Sequence, residues 1–233
     1  MNINNFIKEV ENLGIEVTKP KLEQLEKYYE LLIEYNKVMN LTGITEKEEV
    51  YLKHFYDSLT ISKIIDLNNE KKLCDLGSGA GFPGIVIKIF YPELEIVLVD
   101  SLNKRINFLN IVIKELKLEK IKAVHCRIEE YAILNKECFD VVTARAVAPL
   151  NILLELGINL VKIDKYFISM KGNIENEPDF KNALLKLNCS LENIIKFKLP
   201  VEESNRSLIK IKKEKPTSKL FPRKFSDIQK KPL

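Results

Sequence analysis

The sequence predicts an α/β fold, a doubly wound and mostly parallel sheet of seven strands with a helical N-terminal extension. From residue 73 onward, short apolar segments alternate with helical stretches, which is typical of strands and crossover helices in a parallel sheet. The preceding residues show amphipathic helical patterns and no comparable strand. A glycine-rich loop follows the first strand directly, at the place where such sheets bind their ligands.

Length and composition describe one well-buried core with room for a small accessory unit, since 45% of the 233 residues are hydrophobic and 30% are charged. We expect a helical cap over 1–66, a ligand-binding domain over 67–215 and a basic tail over 216–233. No apolar run approaches the roughly 18 residues of a membrane span, and the start of the chain is too polar for a secretory signal. Four scattered cysteines and two histidines favour buried thiols in the cytoplasm over disulfides or a metal site.

The N-terminal part is expected to be helical throughout. Residues 2–12 should form a short helix, and the threonine and proline at 18 and 20 suit the start of a long second one. Apolar side chains at steps of three or four along 22–39 require that helix to dock, and 46–65 should add shorter helices. There His54 and Asp57 share a helix face. They could close a substrate pocket, although on helical geometry alone we favour their joining the helix to its neighbour.

The sheet itself is predicted from short, apolar strands. The predicted strands are 73–76, 96–99, 121–124, 139–142 and 166–170, then an antiparallel edge pair near 190–198 and 206–213. The predicted helices between them are about 84–91, 103–117, 127–134, 149–161 and 176–187. In such sheets the ligand lies at the carboxyl ends of the strands, so residues that end strands are the candidates for a site.

The loop from Asp75 to Gly84 is the strongest of these candidates. Glycine at 77, 79 and 81 allows a tight turn and a ligand against bare main chain, and the helix that follows offers free N–H groups. Asp100 ends the second strand, where its carboxylate could accept hydrogen bonds from both hydroxyls of a ribose. Gly77, Gly79 and Asp100 therefore predict a site for an adenosine-bearing cofactor.

The competing interpretation is a dinucleotide such as NAD, because Gly79 to Gly84 also satisfies G-x-G-x-x-G. Asp75 argues against it, since dinucleotide folds usually place an apolar residue there. S-adenosylmethionine has no pyrophosphate, and an acid near the loop suits its ammonium and sulfonium charges. The sequence therefore favours S-adenosylmethionine, and a plain tight turn would not explain Asp75 and Asp100 together.

Other strand ends carry side chains suited to binding. Ile128 could offer an apolar face to adenine and Glu129 a hydrogen-bond acceptor, although an ordinary helix start also favours acids. Arg145 ends the fourth strand and Lys171 the fifth, so two cations converge and favour an anionic substrate. A guanidinium can grip such a group through two hydrogen bonds, or form a salt bridge across the rim instead.

Charge is distributed unevenly along the chain, whose net charge is +4. From Arg206 to Leu233 ten basic residues stand against two acidic ones, a local charge of +8, so residues 1–205 sum to −4. This basic end suggests a polyanionic partner such as RNA, or else a tail that keeps the protein soluble.

Several motifs occur together in one order. They are Asn40-Leu41-Thr42, His54 with Asp57-Ser58, the loop from Asp75 to Gly84, Asp100-Ser101-Leu102-Asn103-Lys104-Arg105, Arg145-Ala146-Val147-Ala148 and Lys171-Gly172. This set resembles the bacterial GidB/RsmG methyltransferases, which methylate guanine N7 in small-subunit ribosomal RNA, and only residues 173–200 match nothing in it. The resemblance implies a class I, Rossmann-like methyltransferase fold that uses S-adenosylmethionine. Its cofactor contacts would be Gly77, Gly79, Phe82, Ile128, Glu129 and Arg145, with Asp100 on the ribose.

The resemblance also bears on catalysis and partners. Arg145 and Lys171 would act at the catalytic centre. Contacts to RNA are expected from His54, Lys104, Arg206, Arg223 and Lys224. The partner would be 16S rRNA, within the small ribosomal subunit or an assembly intermediate, and the enzyme a cytoplasmic monomer without a metal.

The chemistry implied agrees with what the sequence lacks. Exocyclic amine methylation typically uses an Asn/Asp-Pro-Pro-Tyr/Phe strand end, and pyrimidine C5 methylation needs a nucleophilic cysteine. Guanine N7 has a free lone pair and needs neither, so positioning can suffice. Because positive charge moves onto the guanine, Arg145 is expected on guanine O6, a phosphate or the methionine carboxylate. A ribose 2′-O-methyltransferase using Lys171, and a nucleotide-binding ribosome factor without turnover, remain the alternatives.

Overall fold

The computed structural model describes residues 1–233, with side chains for 1–175 and 177–233. Its chain starts with α1 (Ile3–Glu11) and α2 (Lys19–Met39), close to the predicted bounds. The side chain of Asn2 caps α1 by accepting a hydrogen bond of 2.9 Å from the Asn5 N–H. α2 ends where Asn40 takes the left-handed conformation, with φ of 49°, which asparagine tolerates better than most residues.

A continuous helical run then covers the region predicted at 46–65, and it changes its winding along the way. The run consists of α3 (Lys47–Val50), a π-helical turn (Tyr51–Tyr56), α4 (Asp57–Leu59) and a 3₁₀ turn (Thr60–Lys63). The π turn buries aromatic rings against α1 and α2: Phe6 and Tyr51 meet edge to face at 5.3 Å, and Tyr28 stacks on Phe55 at 5.5 Å. Such turns are frequent at functional sites, and this one carries His54.

Seven strands form one sheet in the order β3-β2-β1-β4-β5-β7-β6. The strands are β1 (Lys72–Leu76), β2 (Glu95–Asp100), β3 (Ile121–His125), β4 (Phe139–Arg145), β5 (Val161–Lys171), β6 (Cys189–Lys198) and β7 (Asn205–Lys213). The first five pair in parallel, and β7 lies antiparallel between β5 and β6. The predicted fold class is confirmed. The chain leaves β1 toward β2 on one side and returns to β4 on the other, which creates the switch-point crevice.

Helices cover both faces of the sheet. They are α5 (Gly84–Phe90), α6 (Asn103–Glu115), α7 (Ile128–Leu134), α8 (Leu150–Gly157), α9 (Lys181–Lys186) and α10 (Phe225–Lys230). α5, α6 and the N-terminal helices share one apolar core, while α7 to α10 lie over the other face. Some boundaries differ from prediction. The helix expected over 149–161 is α-helical to Gly157 and continues as a 3₁₀ turn (Ile158–Leu160), β5 begins earlier than the predicted 166, and α9 is shorter than the 176–187 expected.

The N-terminal and C-terminal segments are both packed against the sheet domain. Leu25 and Tyr28 of α2 belong to the same buried cluster as Leu98 of β2. At the other end, α10 packs against α8, and Ile228 and Leu233 are buried. Residues 221–233, which make up most of the segment expected to form a tail, therefore pack against the protein. Among the described residues, no helix is both long and apolar enough to cross a membrane.

Candidate functional site

The carboxyl ends of the parallel strands meet at one edge of the sheet, as strand-end reasoning requires. Asp100, Arg145 and Lys171 are the last residues of β2, β4 and β5. β7 runs the opposite way, so its first residues reach the same edge, where Ser207 pairs with Lys171. This reversal brings Arg206 beside the ends of strands that precede it by far in sequence.

The glycine loop needs glycine for two different reasons. Gly77 and Gly79 have φ of 66° and 59°, in the left-handed region that side chains disfavour. At Gly77 there is also no room, because an added Cβ would lie 2.6 Å from Val147 Cγ2. The Gly77 N–H donates to the Val99 carbonyl at 2.8 Å, which fixes the loop on β2. The loop after β1 and the loop after β4 thus touch directly across the crevice.

Beside this contact lies a cavity of about 250 Å³, which we call the loop cavity. It is lined by Gly77, Asp100, Ser101, Arg105, Arg127, Ile128, Glu129, Ala146, Val147, Ala148, Leu156 and Phe225. Gly77, Asp100, Ile128 and Glu129, all predicted to bind a cofactor, are therefore brought together. Two carboxylates, bare main chain and an apolar face occupy a single cavity.

Asp100 is only 2% exposed and already well bonded. Its Oδ2 accepts hydrogen bonds from the Gly79 N–H at 2.9 Å and from Arg105 Nη1 at 3.2 Å, and its Oδ1 accepts one from the Leu102 N–H at 2.9 Å. A carboxylate has about four acceptor positions, so roughly one is left. Binding both hydroxyls of a ribose, as predicted, would require Arg105 to give up its bond.

Asp75 does not face the loop cavity, contrary to the reasoning that placed its charge near a cofactor. The residue is fully buried, and its Oδ2 accepts a hydrogen bond of 3.0 Å from the Gly84 N–H at the start of α5. Its Oδ1 has no partner among the described residues. Burial raises the pKa of this carboxyl to about 7, against the lowering effect of the Gly84 N–H. Asp75 therefore fastens the loop to α5 from below.

A second cavity of about 330 Å³, which we call the cap cavity, lies between the N-terminal helices and the strand ends. It is lined by Ile44, Lys53, His54, Asp57, Thr60, Arg145, Ala146, Met170, Lys171, Gly172, Phe197, Arg206, Ser207 and Leu208. Four of these residues are cationic, and only Asp57 is acidic. Ala146, with φ of 57°, lines both cavities, so the two meet at the loop after β4.

Asp57 joins two arginines in the wall of the cap cavity. Arg145 Nη1 donates to Asp57 Oδ2 and Arg206 Nε donates to Asp57 Oδ1, each at 3.0 Å. Arg145 Nη1 also donates to the Lys53 carbonyl at 3.0 Å. The salt bridge considered as an alternative for Arg145 is thus present, and it lies within a cavity. Arg145, predicted for cofactor binding as well as catalysis, lines the cap cavity and not the loop cavity.

His54 also lines the cap cavity, as a neutral side chain. Its Nε2 is 2.8 Å from Thr42 Oγ1, and its ring stacks on Phe82 at 4.3 Å and 16°. Burial lowers the pKa of His54 to about 3, and the positive charges of Arg145 and Lys53 act in the same direction. Phe82, predicted as a cofactor contact, lies under His54 and the Arg145 guanidinium and is absent from the lining of the loop cavity.

Lys171 is held by two acceptors rather than free in the cap cavity. Its Nζ donates to the Ala148 carbonyl at 2.6 Å and is 2.8 Å from Glu177 Oε1. The second carboxylate oxygen of Glu177 accepts a hydrogen bond of 2.7 Å from the Leu150 N–H. Lys171 and Glu177 therefore fix the loop that connects β4 to α8, which is the loop that both cavities share.

Of the five residues predicted to bind RNA, His54 and Arg206 line the cap cavity and the other three lie elsewhere. Lys104 is exposed, and its Nζ donates to the Met39 carbonyl at 2.8 Å, where α2 ends. Arg223 is bound to Glu155, and Lys224 is exposed beside it.

Sequence reasoning missed Phe225 and Arg127 in the loop cavity. Arg127 lies above the Phe225 ring, 4.8 Å from its centroid. No local signal marks a phenylalanine in a lysine-rich ending as part of a binding site. The described residues hold no cluster of side chains suited to a metal ion.

These features define a class of protein before any comparison. A seven-stranded sheet with an antiparallel β7, a glycine loop after β1 and an acid ending β2 make a class I, S-adenosylmethionine-dependent methyltransferase fold. The family model for GidB, described as rRNA small subunit methyltransferase G, matches residues 21–209. The chain belongs to this family.

Individual relatives agree with that assignment. The chain is 48% identical to the ribosomal RNA small subunit methyltransferase G of Bacillus licheniformis, over 100% of this chain and 99% of that protein. It is 46% identical to the protein of the same name from Bacillus subtilis, with the same coverage. Among solved structures, M. jannaschii TYW2 in complex with AdoMet has a TM-score of 0.57 over 73% of this chain and 79% of that one. At 14% identity, that likeness concerns the fold alone.

Proposed function

We propose that this rRNA methyltransferase transfers a methyl group from S-adenosylmethionine to N7 of a guanine in 16S rRNA. One observation carries the proposal: a cavity with two carboxylates beside a glycine loop and a second cavity lined mainly by cations meet at Ala146. The first suits a nucleoside-bearing methyl donor and the second an anionic nucleic acid. Membership in the GidB family supports rRNA as the substrate.

The residues of the loop cavity fit S-adenosylmethionine by their chemistry. Ile128 offers an apolar surface for adenine, Glu129 and Asp100 offer acceptors for its amino group and for the ribose, and Gly77 leaves the main chain accessible. S-adenosylmethionine, when bound, supplies an electrophilic methyl group. The N7 lone pair takes that group while sulfur keeps the bonding pair, so positive charge moves to the guanine.

The cap cavity would hold the guanosine and its phosphates. Arg145 and Arg206 lie on opposite oxygens of Asp57, which neutralises part of their charge and fixes the direction of both guanidinium groups. In this arrangement Arg145 would donate to guanine O6 or to a phosphate rather than to the methionine carboxylate, since it lines only the cap cavity. His54 is neutral, so it adds no positive charge beside the ring that becomes cationic.

Two observations favour N7 over other acceptor atoms. A ribose 2′-hydroxyl needs a base, and Lys171 is tied to Glu177 and to the Ala148 carbonyl rather than free. A pyrimidine C5 enzyme needs an accessible thiolate, whereas Cys74 is buried in β1, which raises the pKa of its thiol well above the usual value.

The partner in this proposal is 16S rRNA within the small subunit or an assembly intermediate, bound in the cytoplasm by a monomer. Arg206, Lys104 and Lys224 would contact phosphates, and affinity for RNA should then fall as salt rises. Arg223 is the weakest member of the predicted set, because its guanidinium is already engaged with Glu155.

The test is methyl transfer from labelled S-adenosylmethionine to small subunits that lack the modification, followed by mass spectrometry of the rRNA. A label on guanine N7 supports the proposal. A label on a ribose 2′-oxygen would replace it with the 2′-O alternative. Absence of transfer, with subunits still bound, would indicate a ribosome factor without turnover. Arg145→Ala should abolish most of the activity on the same substrate.

A further inference from the structure

The C-terminal segment contributes a wall to the loop cavity. Phe225, the first residue of α10, lines this cavity together with Asp100 and Ile128. Its ring lies beneath the Arg127 guanidinium, and Arg127 Nε is 2.5 Å from Glu129 Oε1. Phe225, Arg127 and Glu129 thus form one connected row along the side of the cavity.

This wall is anchored through a buried acid. Glu155 of α8 is fully buried, and Arg223 meets it with both its main chain and its guanidinium. The Arg223 N–H and Nε donate to Glu155 Oε1 at 3.1 and 2.7 Å, and Nη2 donates to Oε2 at 2.6 Å. Since a buried carboxylate is costly unless it is paired, Glu155 holds Arg223 in place.

Further contacts fix the same segment on both sides of Arg223. The Phe221 carbonyl accepts a hydrogen bond of 2.6 Å from Asn159, Arg223 Nη2 donates to the Lys231 carbonyl at 3.0 Å, and Ile228 is fully buried. A segment tied this closely cannot move as a solvated tail. Phe225, two residues beyond Arg223, is therefore held at the rim of the cavity.

We propose that residues 221–233 are part of the cofactor site and that Phe225 supplies an aromatic wall for the adenine of S-adenosylmethionine. This inference rests on the proposed function, because it takes S-adenosylmethionine as the ligand of the loop cavity. The chemistry on both sides fits a purine nucleoside: Ile128 and Phe225 offer apolar faces, while Glu129 and Asp100 offer acceptors. An aromatic ring can stack on a base, and such stacking contributes to affinity without any charge.

The inference assigns different roles to Arg223 and Lys224, two neighbouring basic residues that were both predicted to contact RNA. Arg223 acts as a positioning residue for Phe225, whereas Lys224 points to solvent and is free for RNA phosphates. Removing the Phe225 ring should weaken cofactor binding, and removing the Lys224 charge should not.

The experiment measures binding of S-adenosylmethionine and S-adenosylhomocysteine to the full chain by isothermal titration calorimetry. Phe225→Ala should raise the Kd for both about tenfold, equivalent to about 1.4 kcal/mol. Phe225→Tyr should bind like wild type because the aromatic face is kept, and Phe225→Leu should lie between the two. Lys224→Ala is the matched control and should leave the Kd unchanged.

A second variant tests the anchor. Arg223→Met should raise the Kd for S-adenosylhomocysteine by a similar factor while Phe225 is still present, because the wall is no longer held. RNA affinity at fixed salt is measured in parallel and should be unchanged in Phe225→Ala. Thermal unfolding of each variant separates a local change from loss of the fold.

Wild-type cofactor affinity in both Phe225→Ala and Phe225→Leu would overturn the inference and leave the proposed function intact. A loss of RNA affinity in Phe225→Ala, with cofactor affinity unchanged, would also overturn it and return the segment to an RNA-binding role. Failure of the wild-type chain itself to bind S-adenosylmethionine would remove the proposed function, and this inference with it.

Discussion

Asp57→Asn tests whether one acid organises the cap cavity. The substitution keeps the size of the side chain and removes its negative charge. Asp57 is 5% exposed and binds Arg145 and Arg206 at 3.0 Å each, with the two arginine side chains 15% and 22% exposed. In the variant two guanidinium groups would face a neutral amide that can accept through only one oxygen.

The size of the effect follows from this burial. Removing one partner of a buried ion pair costs about 3–5 kcal/mol. Here both arginines reach some water, and the asparagine oxygen still accepts a hydrogen bond from one of them, so we expect a loss of about 2–3 kcal/mol in the free energy of unfolding. For a chain of this length the melting temperature should fall by about 5–10 °C.

Activity should change in a way that stability alone does not explain. The cap cavity of the variant carries one more positive charge, so affinity for RNA should not fall. Without the carboxylate, the guanidinium groups of Arg145 and Arg206 are no longer held in fixed directions. Turnover should therefore fall at least about tenfold because positioning is lost. Thermal unfolding, RNA binding at fixed salt and kcat for methyl transfer are measured on the same preparation.

The matched control is Asp164→Asn, which removes an acid that pairs with Lys212 at 2.9 Å and is 72% exposed. Exposed pairs contribute little, so unfolding and turnover should match wild type. If Asp57→Asn melts and turns over like this control, Asp57 does not organise the cavity. Reduced RNA affinity with normal turnover would contradict the same reasoning, since the variant gains positive charge and turnover is expected to depend on the arginine directions that Asp57 fixes.

Three further predictions concern the glycine loop and two buried titratable groups. Gly77→Ala places a Cβ 2.6 Å from Val147 Cγ2 at a φ of 66°, so the Kd for S-adenosylhomocysteine should rise at least about tenfold. The control is Gly43→Ala, whose added Cβ would have nothing within 4 Å and which should bind S-adenosylhomocysteine as wild type does. The pKa of His54 falls on folding from 6.5 to about 3, so its contribution to stability is present above pH 6.5 and is lost as pH falls toward 3. Relative to His54→Gln, wild type should lose about 1.4 kcal/mol in the free energy of unfolding between pH 8 and pH 5.5, measured by urea unfolding. The pKa of Asp75 rises to about 7 from 3.8 on folding, which has the opposite sign, so its contribution to stability is lost as pH rises. Relative to Asp75→Asn, wild type should lose about 2.6 kcal/mol in the free energy of unfolding from pH 5 to pH 8, and equal pH profiles of the two proteins would refute the burial argument.

Local pattern was enough to predict the elements and the edge of the sheet at which the site lies. Leu73, Cys74 and Leu76 make a short apolar strand whichever way it is paired, because both faces of a parallel strand are buried. Asp100, Arg145 and Lys171 could be grouped from their positions at strand ends alone. The antiparallel direction of the last two strands was predicted, but their order in the sheet was not, since the placing of β7 between β5 and β6 depends on pairings across the sheet.

Local sequence pattern could not predict which charged residues pair with each other. Asp57 and Arg206 are 149 positions apart, and nothing in the spacing of either one points to the other. His54 and Asp57 were expected to join their helix to a neighbour. Asp57 instead contacts Arg145 and Arg206 at strand ends, and His54 contacts Thr42 after α2 and Phe82 in the glycine loop. Which role applies depends on the π-helical turn, which alters the face that the two residues share.

For Glu155, simple physical arguments supply part of the pairing information that local sequence pattern lacks. It stands among Leu153, Leu154 and Leu156 in a helix that is apolar on nearly every side, so burial of an acid there was foreseeable. A buried carboxylate requires a cation, and the basic ending is the richest source of cations in the chain. Arg223, 68 positions further along the chain, supplies this cation. The segment that follows Arg223 then has to lie against α8 and beside the loop cavity. A basic C-terminal stretch in such a chain is therefore better understood through the acids that the core must neutralise than through its net charge.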